Sequence, residues 1–94
     1  MLKLSFVCLD TETTGLDESA EIIEIGMVKV IDGQIADRYS QLIRPYNPIP
    51  ETITQLTSID DDMVADQPHW DDIEQAVLDF IGDYTLAAHN VSFD

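Results

Sequence analysis

Asp10 and Glu12 stand two residues apart in FVCLDTETTGL, and Asp94 is the last residue of the sequence. In a strand, alternation sends both of the first two carboxylates to one face, about 6 to 7 Å apart along the chain. Two such groups beside an apolar run repel each other and lose hydration, a penalty that a bound cation offsets. Oxygen donors with water still available suit Mg²⁺ or Mn²⁺ better than zinc. Asp94 follows a short apolar segment, and a strand there running beside the first would carry it to the same edge of a sheet. Three carboxylates from separate elements can hold two ions about 3.5 to 4 Å apart, one activating water and the other stabilising a leaving oxygen. Taken singly, each acid is also an ordinary strand-end or helix-start charge, so the spacing and its surroundings carry the reading.

The elements that must place these groups are visible in the apolar pattern. From Lys3 to Glu12, Leu4, Phe6, Cys8, Asp10 and Glu12 segregate from Ser5, Val7, Leu9 and Thr11, and both faces begin apolar, which predicts a central strand with Cys8 a buried thiol. IIEIGMVKVI, residues 22–31, predicts a second strand ending at Asp32-Gly33, a favoured hairpin turn. Residues 34–44 return antiparallel to it, and the prolines of 45–50 demand an extended link. Pro50-Glu51-Thr52 opens a short helix with Ile53, Leu56 and Ile59 three apart, and Asp60 or Asp61 can cap another turn reaching Met63 and Val64. Pro68 opens a longer helix with Trp70, Ile73, Ala76, Val77, Phe80 and Ile81 in one stripe, closed by Gly82. Tyr84 to Ala88 reads as a short buried strand, and Asn90 as the cap of a helix starting at Val91. The sum is an α/β domain: a mixed sheet with helices packed on it.

Composition agrees with a folded domain and restricts its partners. Hydrophobic residues make up 45% of 94, enough for one core. No apolar run approaches the roughly 20 residues that span a bilayer, and the N-terminus lacks a secretion signal, so the expected setting is cytoplasmic, without a membrane. Nineteen acids against four bases give a net charge of −15, and nothing after Arg44 is basic. Such a surface repels polyanions, so contact with nucleic acid has to be local, metal-assisted or aided by another domain.

Phe6 to Leu16 resembles the first motif of the DEDD superfamily of 3′-to-5′ exonucleases, and His89-Asn90-Val-Ser-Phe93-Asp94 resembles the second. IIEIGMVKV, the Asp-Gly hairpin, the proline-rich link and TQLTSIDDDMV are similar to the same family, as found in proofreading subunits of bacterial replicative polymerases and in exonuclease domains attached to helicases or polymerases. The resemblance implies a ribonuclease H-like fold, with strands 1, 2 and 3 antiparallel and strand 4 beside and parallel to strand 1. It implies that Asp10, Glu12 and Asp94 bind two divalent ions, Mg²⁺ or Mn²⁺. Thr13, Thr14 and Leu16 would line the pocket for the 3′-terminal nucleotide, with Leu16 and Phe93 flanking its base. His89 and Asn90 would support the metal ligands from behind, though packing serves His89 equally well and Asn90 is better placed to cap a helix than to touch substrate. The implied substrate is a single-stranded 3′ end, DNA ahead of RNA, in proofreading or repair, with a polymerase or helicase as partner.

Two departures qualify the likeness. The family's third motif, which brings a fourth carboxylate and a histidine or tyrosine base, has no counterpart in residues 1–94. The expectation is therefore the N-terminal part of one exonuclease domain, truncated at its C-terminus and inactive alone, with exposed apolar surface able to drive dimerisation. Thr57-Ser58 also stands where many relatives have His-Gly. A rival reading, the Asp-x-Asp-x-Thr loop of haloacid dehalogenase-like phosphatases, already fails at Glu12 and requires a parallel crossover where the Asp32-Gly33 hairpin predicts antiparallel pairing. A non-catalytic interaction module is the other alternative.

Overall fold

The computed structural model describes residues 4–88. Strand β1, Phe6–Thr13, pairs antiparallel with β2, Ile22–Ile31, which pairs antiparallel with β3, Gln34–Leu42. Strand β4, Thr85–Ala88, lies parallel to β1 on its other side, giving the order β3-β2-β1-β4. β1 is thus internal, as its two apolar faces require. The antiparallel β1–β2 pairing also removes the phosphatase alternative.

Asp32 and Gly33 turn the β2–β3 hairpin with φ of 53° and 81°, the two positive values of a type I′ turn. Their amides are tied to the start of β1: Asp32 N donates to Ser5 Oγ and Gly33 N to the Leu4 carbonyl. Three short helices follow β3: α1, Glu51–Thr57, α2, Asp61–Val64, and α3, Trp70–Ile81. Asp60 caps α2 by accepting from Met63 N at 2.9 Å. α3 begins at Trp70 rather than at Pro68, with His69 at its N-cap: the Asp72 carboxylate accepts from His69 N, and His69 Nδ1 lies 2.7 Å from the Arg44 carbonyl. Gly82 ends it.

Two apolar clusters hold the layers together. Ile73 and Val77 of α3 pack on Val7, Ile25, Met27 and Ile43, with Trp70, Phe80 and Ile81 at the margin. Ile23, Ile49, Ile59 and Val64 form a second cluster under α1 and α2. A bulge separates them: Glu12 faces Glu24 but Thr13 faces Ile22, so Ile23 is the extra residue. The break in register lets Ile23, fully buried, serve the second cluster while Ile25 serves the first, and it bends β2 where β1 ends.

Several expectations are corrected. Cys8 is exposed, because it points to the sheet face opposite α3 and no described helix covers that face. β4 is exposed along its length: it is an edge strand, and α3 packs over β1 and β2. Ala76 is exposed at the rim of the α3 stripe. β1 begins at Phe6 rather than Lys3, and β3 stops at Leu42, two residues short of Arg44.

Helix α1 closes on Ser58, which adopts the left-handed conformation at φ 65° so that its amide reaches the Thr54 carbonyl at 2.8 Å. A side chain there is strained by about 1 kcal/mol, and glycine is not. Ser58→Gly should therefore stabilise the fold by roughly 0.5 kcal/mol after glycine's greater unfolded-state entropy is counted. A rise in the urea midpoint at unchanged slope is the expected result.

Candidate active site

Asp10 and Glu12 are separated by one residue on β1, and their cross-strand partners are Gly26 and Glu24. A methyl group at Gly26 would meet nothing closer than the Asp10 carbonyl oxygen at 4.0 Å. What the glycine leaves is open space beside Asp10, in a depression of about 320 Å³ shared with Cys8, Arg38 and Ser40.

Glu12 is half-buried and its pKa is raised, first by loss of hydration, then by the neighbouring charges of Asp10 and Glu24. A carboxyl raised in this way binds protons more readily folded than unfolded. It therefore subtracts stability as pH climbs from the ordinary glutamate value through the raised one, and the full penalty persists above it. Opposed like charges on neighbouring strands are worth about 0.2 to 1 kcal/mol. With divalent ions chelated, Glu24→Gln should stabilise the chain by roughly 0.5 kcal/mol at neutral pH. That gain should vanish in acid, below the ordinary glutamate range; equal gains at both pH values would refute the electrostatic origin.

The crowding of acids is also the test of fit for a cation. Asp10 and Glu12 bring hard oxygen donors to a place where negative charge is disfavoured, which suits Mg²⁺ or Mn²⁺. Among the described residues no group of three His, Cys, Asp or Glu side chains is arranged to hold a metal. The third expected ligand, Asp94, lies outside the described residues with Phe93, His89 and Asn90.

Glu12 also borders a cavity of about 340 Å³ lined by Thr11, Thr13, Gly15, Leu16, Ile53, Leu56 and Thr57. Leu16 and Leu56 are 80% and 82% exposed, the two most exposed large apolar side chains described. Residue spacing places Ile53, Leu56 and Ile59 three apart in one short helix. Instead α1 ends at Thr57, so Ile59 enters the core through the cap while Leu56 faces the cavity. Thr13 Oγ1 donates to the Gly15 carbonyl at 2.8 Å, bracing the loop. Thr14 is not part of the lining; its hydroxyl oxygen accepts from Glu21 N at 2.9 Å. Thr57 lines the cavity, but its hydroxyl donates to the Ile53 carbonyl and accepts from Ile59 N. Glu24, Ile53 and Leu56 escaped sequence reasoning, since only the folded register brings them to Glu12; the IIEIG stretch carried Glu24 as one polar residue in an apolar run.

An internal strand with two carboxylates near its end, in a mixed sheet ordered β3-β2-β1-β4 with β4 parallel to β1, is the arrangement of a ribonuclease H-like fold. The chain belongs to the exonuclease family designated RNase_T, whose pattern it matches over residues 7–94. It is 43% identical over 91 residues to the PolC-type DNA polymerase III of Bacillus cereus, covering 96% of this chain and 6% of that polymerase. Over 95 residues it is 44% identical to the PolC-type enzyme of Halalkalibacterium halodurans, covering 100% of this chain and 7% of that one. Among solved structures, exonuclease X in complex with 5′-overhanging duplex DNA superposes with a TM-score of 0.75 at 41% identity, over 94% of this chain and 50% of the other. The nuclease domain of 3′hExo, a DEDDh family member bound to rAMP, shares the fold with a TM-score of 0.73 at 21% identity, over 92% of this chain and 50% of the other. The chain thus spans a small fraction of its polymerase relatives and half of exonuclease X.

Proposed function

We propose that residues 1–94 contribute to a divalent-metal-dependent exonuclease that removes nucleotides from the 3′ end of single-stranded nucleic acid, DNA ahead of RNA, in proofreading or repair. The observation that carries this reading is one cavity lined both by an acid, Glu12, and by two exposed leucines, Leu16 and Leu56. Its volume lies in the range of small-molecule sites, and apolar side chains are suited to the flat face of a base. Leu16 and Leu56 hold the terminal base between them, and the Thr13–Leu16 backbone orients its sugar. Asp10 and Glu12 hold the divalent ions together with Asp94; when bound, the ions supply charge neutralisation and water activation at the scissile phosphate. Phe93 adds to the base contact, and His89 and Asn90 support Asp94.

The surface charge of −15 assigns nucleic-acid affinity to this local site rather than to an electrostatic track. A polymerase partner is supported by the PolC-type relatives, and we infer a cytoplasmic setting; no described helix is long and apolar enough to cross a membrane.

The test is a 5′-labelled single strand, with a free or a 3′-phosphorylated end, incubated with Mn²⁺ and the longest chain that contains residues 1–94. Stepwise shortening of the free-ended strand is the expected result. Cleavage in the interior, or shortening that persists in excess chelator, would overturn the proposal.

A further inference from the structure

The cavity is lined from distant parts of the chain, by Leu16 on one side of the sequence and by Ile53 and Leu56 of α1 on the other, and Glu21 bonds both to Thr14 just before the Leu16 loop and to the link just before α1. Leu16 sits in the loop 15–20, which is braced internally: Ser19 N and Oγ donate to the Asp17 carboxylate at 3.0 and 2.7 Å, and Ala20 N to the Asp17 carbonyl at 3.1 Å. The loop joins the sheet through a two-way pair, in which Thr14 N donates to the Glu21 carbonyl at 2.9 Å and Glu21 N donates to Thr14 Oγ1 at 2.9 Å. The Glu21 carboxylate then reaches across to the proline-rich link, accepting from Tyr46 N at 2.7 Å, Asn47 N at 3.1 Å and Asn47 Nδ2 at 3.2 Å. That link leads directly into α1, which carries Ile53 and Leu56, and it is pinned further on by Ile49 N donating to Asp61 Oδ1 at 3.0 Å.

We propose that Glu21 is a positioning residue that sets the spacing between the Leu16 and Leu56 walls, and so the fit of the terminal nucleotide. The inference rests on the functional reading above. A braced loop moves as a body about its attachment, so its tip is governed by the Thr14–Glu21 pair. Charge-assisted bonds to backbone amides are stronger than neutral ones, and here they couple that attachment to the approach of the opposite wall. Glu21 touches no substrate in this arrangement; its effect passes through Leu16 and α1.

The test uses Glu21→Ala and Thr14→Val, which break the bridge at its two ends, with Thr14→Ser as the conservative control that keeps the hydroxyl. Hydrogen exchange reports the loop directly, and titration with thymidine 5′-monophosphate in Mg²⁺ reports the cavity. Both disruptive variants should speed exchange of amides 15–20, and Glu21→Ala also those of Tyr46 and Asn47. Both should bind the nucleotide about tenfold more weakly, as misplacement by a fraction of an ångström produces, whereas Thr14→Ser should stay near wild type. Faster exchange with unchanged affinity, or unchanged exchange, would overturn the inference. Failure of the wild-type chain to bind the nucleotide would instead count against the functional reading. Should Glu21→Ala not fold, Thr14→Val and its serine control decide the matter alone.

Discussion

With Asp10 a metal ligand as proposed, Asp10→Ala should lower metal-dependent nucleotide release by roughly a thousandfold, since losing a ligand that places a divalent ion removes several kcal/mol of transition-state stabilisation, about tenfold for each 1.4. The loss should not come from unfolding. Asp10 is exposed, it faces a glycine across the sheet, and its charge is one of those disfavouring ionised Glu12. Removing it relieves repulsion, so the thermal midpoint without divalent ions should stay level or rise. Release assays paired with thermal melts of the same preparation separate the two effects. An inactive variant that has also lost its cooperative melt would leave the drop a matter of stability.

Ile25→Ala has the opposite signature. Ile25 is 1% exposed, pairs with Thr11 on β1 and Gln41 on β3, and packs in the cluster that joins the sheet to α3. Deleting a buried isoleucine to alanine costs about 2 to 5 kcal/mol, a large part of the 5 to 15 kcal/mol typical of a domain. The expected outcome in urea is a midpoint lowered by a third or more of its wild-type value, taking about 3 kcal/mol from about 9. Ile35→Ala should move it by less than about 0.5 kcal/mol, since Ile35 is 57% exposed on the edge strand β3. Equal losses at the two sites would mean that the buried cluster does not hold the sheet to α3.

The second strand was legible to the residue because IIEIGMVKVI is a nearly continuous apolar run, broken only by Glu24, Gly26 and Lys29, ended by a dipeptide with one strong conformational preference. The α3 stripe was legible for the same kind of reason, a local period. Local pattern fails where a partner decides. Cys8 and β4 look buried by composition, yet their exposure depends on what lies across the sheet. The Ile23 bulge leaves no local trace, because an extra residue is defined only against the strand it opposes. Of the site, Asp10, Glu12 and Leu16 were visible by spacing and motif, and the structure puts Glu12 and Leu16 in one cavity. The place of Leu56 in the cavity was not legible, because three-residue spacing cannot reveal that the helix stops at Thr57 and leaves Ile59 beyond it. Glu21 was invisible, since its bonds span 7 residues to Thr14 and 25 or 26 to the link.

The most direct measurement is a Mn²⁺ titration followed by amide NMR, where the paramagnetic ion broadens signals nearest to it. Broadening should begin at residues 10–12 and at Gly26 and Glu24 across the strand, should be displaced by Mg²⁺, and should disappear in Asp10→Ala. Broadening that instead started along the acidic stretch at Asp60, Asp61 and Asp62, or that survived Asp10→Ala unchanged, would contradict a metal site at Asp10 and Glu12.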